Sequence, residues 1–464
     1  MNLFIKELHD HIEQNQSSYL ASLTEFLKIK SISTKNMGME DCALFLKNFM
    51  EEIGISTKML KEEGAFPAVY GEVANPDAVK TLLIYGHYDV QPEDPIELWD
   101  SLPFEPEIRD GKVFARGATD DKGNLWATIV AVKVLLELQK TSSVNLKFFF
   151  EGEEEIGSPN LEAYMKNNKE LLKADFTILC DRGIHESGRP QIYLGNKGIT
   201  NAEISLTTAK RDTHSGQAPL LPNAAWELVW LLNKLKETDL EIMVPSYYDD
   251  VMGPSEADLE LIESIPFDEQ EYLEAYGIQK INGTGEAFDK VKTLTQLLYE
   301  PTMTINGLTS GYQEQGNKTV IPRKASAKLD FRFVKNQNPE KCVEQIKSHL
   351  STLTGAAIEV SFGDTRNPSK VDPREHGVLK SIKAAASVYG KEPVVWPLLD
   401  GSGPMSLFEE ILGAPAIIIG LGSPFAYANT HAPNENIGID NYLNGIAMMA
   451  YLYSIYGEEN GYDA

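Results

Sequence analysis

Residues 81–89 read TLLIYGHYD, a short and mostly apolar run followed at once by a glycine, a histidine and an aspartate. Runs of four or five nearly uniform apolar residues are typical of strands buried in a parallel sheet. Three further runs have the same form: LKFFF at 146–150, before the acidic EGEEE; FTIL at 176–179, before Cys180 and Asp181; and AIII at 416–419, a dozen residues before His431.

Helical periodicity fills the chain between these runs. Apolar residues recur three and four positions apart, which predicts helices at 3–29, 41–52, 125–138, 161–171 and 442–453. Strands that alternate with helices indicate an α/β fold in which a mostly parallel sheet is flanked by helices.

The middle of the chain has a different pattern. Residues 198–207 and 325–333 alternate in side-chain character as half-buried antiparallel strands do, and helices are predicted at 224–236 and 339–353. Residues 240–300 are rich in acidic residues and tyrosine without a clean period, and we interpret them as an insertion. We therefore predict a catalytic domain formed by 1–195 and 371–464, interrupted by an α+β lid domain at 196–370.

Composition excludes several classes of protein. The 464 residues include 42 lysines and arginines against 68 aspartates and glutamates, a net charge of −26, which disfavours nucleic-acid and anionic-membrane partners. No apolar run is long enough for a membrane-spanning helix, and the polar first twenty residues do not resemble a signal peptide. Three widely spaced cysteines fit a reducing compartment. We expect a cytoplasmic protein.

Metal-binding side chains follow the predicted strands. Ligands of open parallel sheets bind outside the carboxyl ends of the strands, so these four ends should bring two histidines and several carboxylates to one crevice. Imidazole and carboxylate without thiolate suit a catalytic zinc-like site, whereas calcium prefers oxygen ligands alone. Asp120 and Asp121 precede the helix predicted at 125–138, and a carboxylate there could bridge two ions about 3.5–4 Å apart. Asp89 is placed to accept the second N–H of His87.

Taken singly, each of these features has an ordinary structural explanation. An acidic triplet after a strand is usually a solvated loop, a lone histidine is usually structural, and Asp181 could cap a turn. Their joint occurrence at strand ends favours a metal site.

Three motifs together resemble the signatures of a zinc metallopeptidase family. They are Gly86–Val90 (GHYDV), Gly117–Gly123 (GATDDKG) and Glu151–Ser158 (EGEEEIGS). The family includes carnosinase-type dipeptidases, aminoacylase, acetylornithine deacetylase and succinyl-diaminopimelate desuccinylase. The resemblance covers essentially the whole chain.

The resemblance implies roles for individual residues. His87 and Asp181 would hold one Zn²⁺, Glu155 and His431 the other, and Asp120 would bridge them, with Mn²⁺ or Co²⁺ as possible substitutes. Glu154 would be the general base, Asp89 would orient His87, and the Asp120–Asp121 peptide bond would be cis. Glu153 is a mild departure from the family motif.

The resemblance extends to the predicted lid. His214, in RDTHSG, would stabilise the oxyanion, in many relatives at the partner subunit's active site. Arg332, in DFRFV, would grip the substrate carboxylate, and Gly401, Ser402 and Gly403 would close over it with backbone amides. The lid also implies a homodimer.

The length of the lid favours the dipeptidase branch, which cleaves short peptides with a free carboxylate. Two alternatives stay open. An N-acyl-amino-acid deacylase would use the same metals without a pocket for the substrate amine. A non-catalytic binding protein could use the same fold, although all the ligands and the base are present.

Overall fold

The computed structural model describes residues 3–237, 240–283, 287–353 and 357–458. The chain forms two compact units. Unit 1 comprises Met1–Gly195, Val371–Trp396 and Leu407–Ala464, and unit 2 comprises Asn196–Lys370 and Pro397–Ser406. Residues 397–406, predicted as part of the catalytic domain, belong to unit 2 in the structure.

The helices and strands are numbered in chain order. The helices are α1 Leu3–Leu27, α2 Met39–Glu52, α3 Lys122–Glu137, α4 Leu161–Asn167, α5 Lys169–Leu172, α6 Ala224–Leu235, α7 Glu256–Ser264, α8 Glu269–Tyr276, α9 Lys290–Tyr299, α10 Pro339–Leu353, α11 His376–Tyr389, α12 Met405–Leu407, α13 Phe425–Ala428 and α14 Ile439–Ile455. The strands are β1 Ser56–Leu60, β2 Ala68–Val73, β3 Thr81–His87, β4 Glu107–Arg109, β5 Lys112–Phe114, β6 Asn145–Glu151, β7 Phe176–Leu179, β8 Gln191–Tyr193, β9 Gly195–Asn196, β10 Gly198–Thr207, β11 Thr213–His214, β12 Thr302–Ser310, β13 Val320–Ile321, β14 Lys324–Phe333, β15 Ala357–Arg366, β16 Ser369–Lys370, β17 Val394–Trp396, β18 Ala416–Ile419 and β19 Asn436–Gly438.

An eight-stranded sheet forms the centre of unit 1, in the order β1-β2-β6-β3-β7-β18-β8-β17. Its four middle strands, β6, β3, β7 and β18, are mutually parallel and carry the four apolar runs of the sequence. Strands β1 and β2 pair antiparallel at one edge, and β8 runs antiparallel to β18 near the other. The predicted α/β class and its mostly parallel sheet are confirmed.

Helix α3 is buried around almost its whole circumference, as expected of a helix without a polar face. It packs against α14 and α1, and the ring of Trp126 stacks on Phe26 with centroids 4.6 Å apart. This packing fixes the start of α3, the end that lies next to Asp120 and Asp121. Within the described residues, no helix combines the length and apolar character needed to cross a bilayer.

Unit 2 contains an antiparallel sheet in the order β12-β14-β10-β15. Helices α6 and α10 pack on it around a core that includes Ile204, Leu228 and Phe331. The segment interpreted as an irregular insertion contains helices α7, α8 and α9. Each begins at a side chain that accepts a backbone N–H, namely Ser255, Asp268 and Asp289.

Candidate metal centre

The carboxyl ends of neighbouring strands meet at one edge of the sheet in unit 1. His87 is the last residue of β3 and pairs with Glu151, the last residue of β6. Asp181 lies two residues beyond β7, which is the other neighbour of β3, and His431 follows β18, the next strand along. The sheet order therefore explains why residues far apart in sequence share one site.

Two groups of side chains could each hold a metal ion. The ligand atoms of His87, Asp120 and Asp181 lie within 4.8 Å of one another, as do those of Asp120, Glu155 and His431. Asp120 belongs to both groups. Its Oδ1 lies 3.2 Å from His87 Nε2, and its Oδ2 lies 2.9 Å from His431 Nε2. Each oxygen of this carboxylate thus faces a different histidine, the geometry that a bridging ligand requires.

The remaining distances and the donor chemistry also fit two divalent ions. His431 Nε2 lies 3.2 Å from Glu155 Oε2, and His87 Nε2 lies 3.9 Å from Asp181 Oδ1. Among the described residues, nothing donates a hydrogen bond to the buried Glu155 Oε1. A buried carboxylate oxygen without a donor is costly unless a cation compensates for it.

Asp89 contacts both the histidine and the acidic motif. It is fully buried, with Oδ1 3.3 Å from His87 Nδ1, and its backbone carbonyl lies 3.1 Å from the same nitrogen. Its two carboxylate oxygens accept the backbone N–H groups of Glu154 at 3.2 Å and Glu155 at 3.0 Å. The side chain of Asp89 therefore fixes the position of His87 relative to the acidic turn.

The acidic motif contains a short 3₁₀ helix, Glu154–Ile156. The carboxylate of Glu153 accepts the N–H of Phe66 at 3.0 Å and the side-chain amide of Asn160 at 3.0–3.1 Å. Glu153 is therefore a structural residue of the turn.

Burial raises the pKa of the Glu154 carboxyl well above its usual range. The negative charges of Asp181 and Asp120 raise it further, against the opposing charge of His87. A carboxyl with a raised pKa holds a transferred proton better than an exposed one does, which suits general base and acid chemistry near neutral pH.

The two histidines are surrounded by carboxylates. Hydrogen bonds to Asp120 and Glu155 raise the pKa of His431 to about 10. Burial lowers the pKa of His87, but the carboxylates of Asp120, Asp181 and Asp89 outweigh burial and hold it well above its usual value. A cation bound here replaces imidazole protons, so its affinity should depend on pH.

The loop that carries Asp120 has an unusual backbone. The peptide bond between Asp120 and Asp121 is cis, as the resemblance implied. Gly117 has φ +82°, and a Cβ at Gly123 would lie 2.0 Å from the carbonyl oxygen of Ala118, so both positions require glycine. The buried side chain of Glu435, which no sequence motif marks, accepts N–H groups of this loop.

Four of the predicted substrate-binding residues lie together in unit 2. Arg332, on β14, donates from Nη1 to Ser402 Oγ at 2.7 Å, and Ser402 donates to the carbonyl of Gly198 at 3.2 Å. The carbonyl of Gly401 accepts the N–H of Lys197, and that of Gly403 accepts the side-chain amide of Asn196. The start of β10 therefore holds the glycine-rich segment beside Arg332.

His214 and Lys197 are two further polar residues of unit 2. His214 is exposed at the end of β11, and its Nδ1 accepts the N–H of Gly216 at 3.0 Å. Lys197, which the sequence analysis missed, is buried beside the glycine-rich segment. No motif marks it, because an isolated lysine before a strand is usually exposed.

Comparisons with known proteins agree with this geometry. The family model of peptidase family M20/M25/M40 matches residues 83–454. The human Beta-Ala-His dipeptidase is 27% identical over 97% of this chain and 92% of its own length. The Cys-Gly metallodipeptidase of Schizosaccharomyces pombe is 27% identical over 97% of both chains.

Solved structures are similar over nearly the whole chain. The M20 family metallo-carboxypeptidase Sso-CP2 from Sulfolobus solfataricus is 40% identical, with a TM-score of 0.87 over 95% of this chain and 99% of that one. Human carnosine dipeptidase 1 is 26% identical, with a TM-score of 0.81 over 98% of both chains.

Proposed function

Because the chain belongs to peptidase family M20/M25/M40, we propose that it is a dinuclear zinc dipeptidase that cleaves short peptides with a free C-terminal carboxylate. The observation that carries the proposal is the position of Asp120, whose two oxygens face His87 and His431. His87 and Asp181 would hold one Zn²⁺, and Glu155 and His431 the other. Mn²⁺ or Co²⁺ could occupy the same ligands.

The chain's own residues then have defined tasks. When bound, two zinc ions supply Lewis acidity that activates water near neutral pH. Glu154 takes the proton of the attacking water and returns it to the leaving amine, so that one carboxyl acts as base and then as acid. Asp89 holds His87 and the N–H groups of Glu154 and Glu155 in place during both steps.

Unit 2 supplies the contacts to the substrate. Arg332 would bind the substrate carboxylate, and the backbone amides of Gly401, Ser402 and Gly403 would close over it. The bond from Arg332 to Ser402 Oγ supports this assignment, because it holds the guanidinium beside the glycine-rich segment. His214 would stabilise the oxyanion of the tetrahedral intermediate.

Three relatives point to two kinds of substrate. The human and fission-yeast relatives are named dipeptidases, whereas the 40% identical Sso-CP2 is described as a carboxypeptidase. Both activities need a free C-terminal carboxylate, and they differ in whether the substrate amine must be free. An N-acyl-amino-acid deacylase is the second candidate within the family.

We also propose a cytoplasmic homodimer. All three cysteines are free and buried, which supports a reducing compartment. In unit 2, α6 presents the stacked and exposed rings of Trp226 and Trp230, and β12 is an edge strand with Ile305 and Leu308 exposed. Exposed aromatic residues and an open sheet edge are features of surfaces that pair with a second copy.

The experiment that tests the function is a panel of substrates assayed for amine release with added Zn²⁺ or Mn²⁺. It contains a free dipeptide, the same dipeptide with a blocked amine, a dipeptide amide and an N-acetylated amino acid. A dipeptidase cleaves the first alone, a carboxypeptidase also cleaves the blocked dipeptide, and a deacylase cleaves the acetylated amino acid.

A variant of Arg332 sharpens the panel. Arg332→Ala should raise KM for the free dipeptide about 10–100-fold with little change in kcat, because a charge-assisted bond to the carboxylate is lost. Arg332→Lys is the matched control that keeps the charge. Cleavage of the dipeptide amide as fast as the free dipeptide would contradict the proposed role of the carboxylate, and no cleavage of the panel would favour the non-catalytic alternative.

A further inference from the structure

The carboxylate of Glu435 is fully buried in unit 1 and accepts four hydrogen bonds. Its Oε2 accepts from Arg116 Nη1 at 2.7 Å and from the backbone N–H of Gly117 at 2.9 Å. Its Oε1 accepts the backbone N–H groups of Thr119 at 2.9 Å and Asp120 at 3.0 Å. Three of the four donors therefore belong to the backbone of the loop that ends at Asp120.

Converging backbone N–H groups form a concave anion-binding nest, and here the anion is a side chain of the protein itself. The Asp120 N–H lies just ahead of helix α3 and outside the strands, so Glu435 supplies its acceptor. Without that acceptor, the N–H groups of Gly117, Thr119 and Asp120 would lose their shared partner, and the loop backbone would be held less firmly. Glu435 thus determines the backbone position from which the Asp120 side chain extends.

The other side of the nest is anchored near His431. Glu435 lies four residues after His431. The residues before and after Glu435, Asn434 and Asn436, also make hydrogen bonds. Asn434 Oδ1 accepts the N–H of Asp100 at 2.9 Å, and Asn436 donates to the carbonyl of Tyr427 at 2.8 Å. Glu435 is therefore a rigid link between the loop of His431 and the loop of Asp120.

We infer that Glu435 is a positioning residue of the metal centre, which holds Asp120 between the two ligand groups. The inference rests on the proposed ligand set. Residues that orient metal ligands from behind commonly change metal affinity about 10–100-fold when they are altered. Removal of the Glu435 carboxylate should therefore weaken metal binding while leaving all five ligand side chains intact.

Glu435 has a second partner whose effect must be separated. The buried Arg116 guanidinium also donates to the carbonyl of Pro92 at 3.1 Å and lies 5.2 Å from the ring centroid of Trp99. Glu435→Gln would leave this cation without its buried counter-charge, which destabilises the fold by itself. Arg116→Met in the same chain removes that charge but still leaves one amide oxygen, in place of two carboxylate oxygens, for the three N–H groups of the loop.

The test measures Zn²⁺ affinity of the full chain by competition with a chromophoric chelator, and thermal unfolding of the chelator-treated protein. Glu435→Gln should weaken Zn²⁺ binding about 10–100-fold. The double variant Arg116→Met, Glu435→Gln should regain thermal stability relative to Glu435→Gln and still bind Zn²⁺ weakly. Arg116→Met alone should keep nearly wild-type affinity, because the nest retains its carboxylate.

A matched control removes a buried ion pair of unit 2. Lys370 Nζ lies 2.6 Å from Asp258 Oδ1, with both side chains almost fully buried. Asp258→Asn should lower the unfolding temperature without changing Zn²⁺ affinity. If it weakens Zn²⁺ binding as much as Glu435→Gln does, general destabilisation explains both and the inference is wrong.

Two other results would overturn the inference. The first is wild-type Zn²⁺ affinity in Glu435→Gln. The second is recovery of Zn²⁺ affinity in the double variant, because Glu435 would then act only as a counter-charge for Arg116. If Glu435→Gln does not fold, Zn²⁺ affinity is measured for Glu435→Asp in the same assay. Aspartate keeps the charge, but its shorter side chain should not reach the N–H groups of Thr119 and Asp120 as well, so Zn²⁺ binding should also weaken. A wild-type chain that binds no Zn²⁺ would instead contradict the proposed function.

Discussion

At the scale of single residues, the candidate site depends on carboxylates with different surroundings. Asp120 extends its two oxygens towards His87 and His431, whereas Asp121 turns the other way and accepts the N–H of His87 at 3.2 Å. Glu153, one residue before Glu154, accepts three hydrogen bonds from Phe66 and Asn160. Adjacent acidic residues of the same type therefore have separate tasks.

This separation gives a test of the proposed base. Glu154→Gln should lower turnover about 10²–10⁴-fold, because an amide cannot accept the proton of water. Bound zinc should stay at the wild-type level, since Glu154 is not among the five proposed ligands. Peptidase assays and metal analysis of the same preparation measure both quantities.

The neighbouring substitution Glu153→Gln is the control for Glu154. It makes the same change from carboxylate to amide in the same motif. Glu153 is bonded to Phe66 and Asn160 and has no proposed catalytic role, so most activity should remain. Loss of zinc from Glu154→Gln would make Glu154 a ligand and would reject its assignment as the base.

At the scale of helices and strands, sequence periodicity located the elements that are uniformly buried. Strands β7 and β18 begin and end at the predicted residues, because each is a short run of mostly apolar side chains that is buried throughout. Strands β1 and β12 were missed, since an edge strand exposes one side or both and has no uniform pattern. Helices α7 to α9 were missed because each is only two or three turns long.

The candidate site likewise contains some residues that sequence patterns mark and others that they do not. Four of the five proposed ligands could be predicted from the sequence because they lie at or beyond the ends of strands that meet at one edge of the sheet, and Asp120 because its motif precedes α3. Glu435, Arg116 and Lys197 could not be found, because their roles come from burial that only the tertiary fold creates. An isolated charged residue in a polar stretch such as NENIG has no pattern that separates a buried position from an exposed one.

Lys197 leads to a prediction about pH. Its Nζ donates to the carbonyl of Glu300 at 2.7 Å, and burial lowers its pKa to about 8. Between pH 8 and the usual lysine pKa of about 10.4, the unfolded chain therefore binds more protons than the folded one, and the free energy of unfolding should rise with pH. Below pH 8, the buried charge opposes folding.

Lys197→Met removes this titration. Relative to wild type, the variant should lose about 3 kcal/mol of stability between pH 8 and pH 10.5, with the largest relative stability at neutral pH. Urea unfolding at a series of pH values measures the difference. Lys234→Met is the matched control, since the exposed Lys234 also donates to a backbone carbonyl, that of Leu353 at 3.0 Å. A constant difference between Lys197→Met and wild type would contradict the prediction.

At the scale of the whole molecule, the proposed catalytic parts come from both units. Unit 1 holds the candidate metal ligands and Glu154, whereas unit 2 holds Arg332 and His214. The chain's net charge of −26 disfavours an anionic substrate, so binding of a carboxylate needs a local excess of positive charge. Within unit 2, Arg332 and Lys197 would provide it.

The proposed dimer gives the last prediction. Two variants, His214→Ala and Glu154→Gln, should each be nearly inactive. If His214 acts on the metal centre of a second copy, a mixed dimer of the two variants has one complete site, formed by Glu154 of one chain and His214 of the other. Unfolding and refolding an equal mixture should then restore about a quarter of wild-type activity, because half of the dimers are mixed and half of their sites are complete.

The surface proposed for pairing supplies the control. Trp226 is 57% exposed and Trp230 is 53% exposed, so Trp226→Glu should not disturb the core of unit 2 but should place a charge at the contact. Introduced into both variants, it should yield monomers in sedimentation experiments and abolish the recovery of activity. Full activity of a Trp226→Glu monomer would show that one chain forms the whole site. Dimers that persist in the Trp226→Glu variants and still recover activity would reject α6 as the contact.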